Sequence, residues 1–231
     1  MPTRSHRAAL LFATLIFLPC MSSACTSTCF GTPSKGRIEN SVQLPVTGSN
    51  FQPYSEAGVA LGRTYVHSGV ADVVVAAYKA LEQSSPGVQF VYGETGWKAG
   101  GSFKPHRTHQ NGLSVDFFVP VRDKQGKSVP LPRDVTNKFG YDIEFDTKGR
   151  YGEYTIDFHA LAEHLFQLDL AAKARKLPIQ RVILDPPYLP MLFATPRGGY
   201  LKANLTFMNI PAWVRHDEHY HVDFAATCKP M

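Results

Sequence analysis

Three histidines fall within six residues near the end of the chain, in Trp213-Val214-Arg215-His216-Asp217-Glu218-His219-Tyr220-His221-Val222-Asp223. A second window much earlier, His106-Arg107-Thr108-His109-Gln110-Asn111-Gly112-Leu113-Ser114-Val115-Asp116, adds two more histidines and a carboxylate. Together the windows hold five of the nine histidines. Neutral imidazoles and a carboxylate are the donors that bind a divalent zinc ion, so the clustering points to a metal site assembled from two distant segments.

Six residues separate His109 from Asp116, and His221 lies far along the chain. Three protein ligands and one open position are the pattern of a catalytic zinc site. Such an ion lowers the pKa of a bound water to about 7 and polarises a carbonyl, chemistry that suits amide hydrolysis. Groups that carry protons are needed as well. His219 is the first candidate and His216 the second. Glu218 is a third, although strand alternation points it away from the metal. Alone, a His-x-His pair or His106-x-x-His109 is a weak signal; both together with Asp116 favour a metal. His67, His159 and His164 are isolated and are expected to be solvated or packed. Trp213 is expected in the core or a pocket wall, and Arg107 and Arg215 are candidates to grip a substrate carboxylate.

These side chains need a scaffold. Helical spacing of Val73, Val74, Ala77 and Leu81 predicts a helix over 70–82, and a strand-like run follows over 88–92. Gly93, Gly96, Gly100 and Gly101 then read as a flexible connection into the first histidine window. Residues 114–119 are dense in β-branched and aromatic types and stop at Pro120, which predicts a strand carrying Asp116, with His109 in the loop before it. The polar stretch 122–152 reads as a long surface excursion. Asp157 is placed to cap a helix running to about 176 that buries Phe158, Leu161, Ala162, Leu165 and Phe166. Residues 181–184 and 219–224 read as strands; in the second, His219 and His221 share one face and Tyr220 and Val222 the other. Strands and helices without regular alternation predict an α+β fold: a small central, mostly antiparallel sheet flanked by helices and long loops. No Gly-rich nucleotide fingerprint is present.

The N-terminus reads as an export signal over 1–24, with Arg4 and Arg7 ahead of an apolar core and Ser22, Ser23 and Ala24 at a cleavage site; the alternative is a buried N-terminal helix. No later stretch approaches the roughly 20 apolar residues of a membrane-spanning helix. The mature chain is therefore expected to be exported, periplasmic and without an integral membrane segment. Residues 25–57 read as an extended N-terminal segment and 58–231 as the folded domain. Cys25, Cys29 and Cys228 remain after cleavage. Cys228 can pair with Cys29 or with Cys25, and a lipid on Cys25 is a further option. The formal charge is +5. Without Arg4 and Arg7, 22 basic residues face 19 acidic ones. That mild excess suits an anionic polymer such as a cell wall, and the absence of Lys/Arg blocks argues against nucleic acid.

The motifs carry a resemblance. Ala99-Gly100-Gly101-Ser102-Phe103, then His106-x-x-His109-Gln110-x-Gly112-Leu113-x-Val115-Asp116, and Trp213-x-x-His216-x-x-His219-x-His221-Val222 resemble the penicillin-insensitive murein endopeptidases, a family within the zinc D-Ala-D-Ala peptidases. The likeness covers about 58–228, with Arg181-Val182-Ile183-Leu184-Asp185-Pro186 as a weaker middle match. It implies that His109, Asp116 and His221 bind zinc beside His216 and His219, and that peptidoglycan peptide stems are the substrate, cut at the D-alanyl to diaminopimelyl cross-link. In that family the counterpart of His106 helps bind a second metal with an Asp-x-x-His pair. Asp146 is followed by Thr147, Lys148 and Gly149, so no histidine completes that pair. Two other functions fit the same residues: a D,D-carboxypeptidase acting on uncross-linked stems, and a zinc-containing wall-binding module without catalysis.

Overall fold

A five-stranded sheet organises the molecule, in the order Ile179–Ile183, His219–Phe224, Ser114–Phe118, Phe90–Tyr92 and Phe51–Pro53. All neighbours pair antiparallel except the last two, which are parallel. The computed structural model describes Met1 and residues 26–231. The export signal read over 1–24, and the cysteines Cys20 and Cys25, otherwise lie outside the described residues.

Helices Ser68–Ser84 and Phe158–Ala174 pack against each other and cover one face of this sheet. The first is capped by His67, whose Nδ1 accepts from the Gly69 amide at 3.1 Å, so this isolated histidine satisfies a helix end. The second is capped by Asp157, which accepts from the Ala160 amide at 3.0 Å. Val70, Val73, Val74, Ala77, Tyr78 and Leu81 of the first, and Leu161, Ala162, Leu165, Leu168 and Ala172 of the second, recur at helical spacing and are buried. They meet Val115, Phe117, Tyr220 and Val222, the residues of the two central strands that point toward the helices. His164 lies in this layer, stacked on Tyr78 with ring centroids 5.1 Å apart and bonded through Nδ1 to the Tyr220 hydroxyl. His159 is exposed. The architecture is α+β, and among the described residues no helix is long and apolar enough to cross a membrane.

The segment before residue 58 adds strands of its own. Thr28–Thr32 and Lys35–Glu39 form a hairpin, Val42–Gln43 pairs with Tyr65–Val66, and Phe51–Pro53 is an edge of the central sheet. A disulfide joins Cys29 to Cys228, and the Gly31 and Lys229 amides bond across the same junction at 2.9 Å each. That settles the pairing of Cys228.

The stretch 122–152 departs from its reading as a surface excursion. Arg150–Tyr151, Tyr154–Ile156, Val121–Arg122 and Ser128–Val129 form a second, four-stranded sheet. Leu131, Ile143 and Phe145 are buried beneath the connecting turns. Ile143 and Phe145 belong to a short alternation with Phe139 and Tyr141, a period-two trace that the reading as a polar excursion does not use.

Candidate active site

The two histidine windows meet because their strands are neighbours. In the antiparallel pairing of Ser114–Phe118 with His219–Phe224, His221 stands opposite Asp116 and His219 opposite Phe118. Tyr220 and Val222 enter the helix-covered core, so alternation turns His219, His221 and Asp223 to the other face with Ser114 and Asp116. His109 reaches the same place from the preceding loop, in the left-handed region at φ +67°. Gly112 makes the turn that follows: its φ is +76°, and a Cβ there would come within 2.5 Å of Ile38 and 2.8 Å of the His67 amide.

The Asp116 carboxylate is fully buried and divides its surroundings. Oδ1 lies 2.9 Å from His221 Nδ1 and 3.2 Å from His109 Nε2. Oδ2 accepts from the Tyr141 hydroxyl at 3.3 Å and faces His106 Nδ1 at 3.6 Å and His219 Nε2 at 3.9 Å. Burial opposes its charge, but His109 and His219 outweigh burial and hold the acid well below the usual carboxylate range.

Each surrounding ring has its outer nitrogen engaged. His109 Nδ1–H donates to the Thr95 carbonyl at 3.2 Å. Its buried Nε2 is therefore a lone pair without a hydrogen-bond partner, and it points at a carboxylate oxygen. Two acceptors facing each other call for a cation between them. Ligand atoms bound at 2.0–2.1 Å in tetrahedral geometry sit roughly 3.3 Å from one another, close to the 3.2 Å found here. His221 Nε2–H donates to Asp223 Oδ1 at 2.7 Å, which leaves Nδ1 as the inward atom. Asp223 is fixed in turn by Ser114 Oγ at 2.7 Å and Arg181 at 2.6 Å. Burial disfavours an imidazolium at His221, yet the Asp223 and Asp116 carboxylates prevail and push its pKa up to about 10. His106 Nε2–H donates to Glu94 Oε2 at 2.6 Å and turns Nδ1 inward. The ligand atoms of His106, His109 and Asp116 all lie within 4.8 Å of one another, a group able to hold a metal ion. Their imidazole and carboxylate donors suit zinc. Asp146 takes no part: its carboxylate accepts from the Lys148 and Arg150 amides in an exposed turn.

His219 and His216 stand beside this group with ring centroids 4.5 Å apart. Burial lowers both, to about 4 for His219 and about 3 for His216, so each is a neutral imidazole near pH 7. His216 Nδ1–H donates to the Val214 carbonyl at 2.8 Å, leaving Nε2 free to accept a proton. Glu218 is buried on the side of the His219 ring that does not face Asp116. The strand begins at His219, so alternation does not reach residue 218, and its Oε1 sits 2.7 Å from His219 Nδ1. Burial holds the Glu218 acid well above its ordinary value.

Four partners escaped the sequence reading. Glu94 and Thr95 belong to the connection taken as flexible, but both are buried. Glu94 binds Arg63, His106 and Tyr54; burial opposes its charge, while Arg63 and His106 pull its pKa down to about 2. Tyr141 comes from the supposed excursion. Burial, reinforced by Asp116 and Glu94, keeps its phenol protonated and donating. Gly93 admits it, since a Cβ there would lie 2.5 Å from the Tyr141 oxygen. Asp223 alone carried a signal, because His-x-His-x-Asp on a strand places all three on one face.

A cleft of about 730 Å³ opens over the group, walled by Tyr141, Phe139, Met208, Pro211 and Trp213. Trp213 is wall rather than core, with 53% of its surface exposed. Arg215 is turned to structural use: it binds Glu144 at 2.7 Å, Asp185 at 3.0 Å and the Phe145 carbonyl at 3.0 Å. Arg107 remains on the cleft rim.

Buried imidazoles and a carboxylate under an open cleft are the equipment of a hydrolase, and the comparisons with known proteins place the chain among peptidases. A family model described as penicillin-insensitive murein endopeptidase matches residues 29–230. The chain belongs to that family. No curated protein matches it.

Proposed function

We propose that this protein is an exported zinc peptidase that hydrolyses the D-alanyl to diaminopimelyl cross-links of peptidoglycan, with His109, Asp116 and His221 as the zinc ligands. The observation that carries the metal is the unpartnered, buried His109 Nε2 held 3.2 Å from Asp116 Oδ1. The family match supports the murein substrate, and the signal-like N-terminus supports periplasmic export. His106 is a fourth donor beside the three. A second metal lacks support from Asp146, which is occupied in its own turn.

Zinc at this position would polarise the scissile carbonyl and make a water nucleophilic near neutral pH. The remaining work falls to the protein. His219 accepts a proton from the attacking water at Nε2 while Glu218, 2.7 Å from its Nδ1, fixes the ring. His216, neutral and with Nε2 open, is the second proton carrier, placed to serve the leaving amine. Tyr141 and Asp223 hold Asp116 and His221 in position.

Incubating the protein with cross-linked muropeptides, with and without a chelator, tests this reading. Chelator-sensitive conversion of dimers to monomers is expected. Release of terminal D-alanine from monomers alone would make the protein a carboxypeptidase, and sacculus binding without any product would make it a wall-binding module.

A further inference from the structure

The cationic side chains lining the cleft are Arg63, Arg107, Lys138 and Arg181. Three are neutralised. Arg63 grips Glu94, Lys138 binds Asp142 at 2.7 Å, and Arg181 binds Asp223 at 2.6 Å. Arg107 is exposed and has neither a carboxylate nor a hydrogen-bond acceptor within reach among the described residues. Its guanidinium carbon lies 4.8 Å from the centre of the Trp213 ring, across the mouth of the cleft. Stacking of this kind restrains a long side chain and leaves the N–H edge of the guanidinium facing outward. Arg107 also sits on the site loop, one residue after His106 and two before His109. Arg107 thus lines the same cleft that opens over the metal donors.

We propose that Arg107, held by Trp213, is the specificity residue that receives a free carboxylate of the substrate beside the cleaved bond. This role rests on the peptidase reading of the site, and it narrows the substrate to a peptide that carries an acid at that point. The planar fork of a guanidinium matches a carboxylate through two parallel hydrogen bonds, a match that a primary amide cannot reproduce. Hydrogen bonds to charged groups of this strength correspond to about 10- to 100-fold in kcat/KM. The discrimination is therefore between acid and amide forms of the same peptide.

The test compares a cross-linked muropeptide dimer with the same dimer whose carboxylates have been converted to amides. Wild-type protein is expected to cleave the amidated dimer about 10- to 100-fold less efficiently. Arg107→Ala should lose that factor on the acid dimer, chiefly through KM, and lose nothing further on the amide. Arg107→Lys, which keeps the charge without the fork, should fall between. Trp213→Ala should reproduce the selective loss in smaller degree by releasing the guanidinium. Equal losses of Arg107→Ala on both dimers, or no loss on either, would overturn the assignment while leaving the peptidase reading intact. Wild-type protein that cleaves neither dimer would remove the peptidase reading, and this role with it.

Discussion

His221 Nδ1 lies 2.9 Å from Asp116 Oδ1 although they are 105 positions apart in sequence, because the two stand opposite each other in neighbouring antiparallel strands. The sheet thus makes the site. A shift of either strand by one residue would turn its ligand into the helix-packed core, where Tyr220 and Val222 now sit fully buried. Stability of the sheet and integrity of the site are consequently one property.

His219→Ala should lose turnover by about 100- to 10,000-fold while zinc content stays at the wild-type level, since His219 moves protons rather than holding the ion. Glu218→Gln should lose less, because an amide can still hold the ring at Nδ1. Metal analysis and initial rates across pH, taken together, check both outcomes. Loss of zinc from His219→Ala would make it a ligand instead.

Asp223 is expected to tune the metal through His221. Asp223→Asn removes the carboxylate that accepts His221 Nε2–H at 2.7 Å. Partners of this kind, behind a ligand, are worth about 10- to 100-fold in metal affinity. Competition with a zinc chelator of known affinity should show that loss, with far-ultraviolet circular dichroism unchanged.

His164 should govern part of the acid stability. Burial among Tyr78, Phe90 and Phe117 lowers its pKa to about 3 from an ordinary 6.5. Between those values the unfolded chain binds a proton that the folded chain refuses. Stability is therefore lost as pH falls from about 6.5 toward 3, by roughly 1 kcal/mol per pH unit. Replacing His164 with Leu and Tyr220 with Phe together removes both ends of their hydrogen bond. Denaturant titrations of the metal-free proteins should show a shallower acid limb for the double variant.

The disulfide is expected to act on the unfolded chain. Cys29 and Cys228 close a loop of sequence separation 199, for which chain entropy alone gives about 5 kcal/mol. Cys29→Ser with Cys228→Ser should lower the denaturation midpoint and raise the m value, as the freed chain exposes more surface on unfolding. A lower midpoint at constant m would place the effect in the native state.

Periodicity made the framework legible. Val73, Val74, Ala77 and Leu81 announced the first long helix, and Asp157 announced the second with its cap. The alternation around His219 and His221 matched the strand that carries them. Glu94 and Tyr141 were not legible, because their positions depend on contacts between loops far apart in sequence. The alternation of Phe139, Tyr141, Ile143 and Phe145 marks a buried face but not what that face meets, and four glycines in nine residues look flexible even where the chain is buried.

Zinc stoichiometry paired with a muropeptide digest tests the central claim most directly. Wild-type protein should bind at least one zinc and convert cross-linked dimers to monomers, and a chelator should abolish conversion until zinc is returned. Asp116→Ala, which removes the carboxylate shared by His109 and His221, should bind no zinc at that site and release no product. Full turnover by metal-free protein, or by Asp116→Ala, would contradict the account.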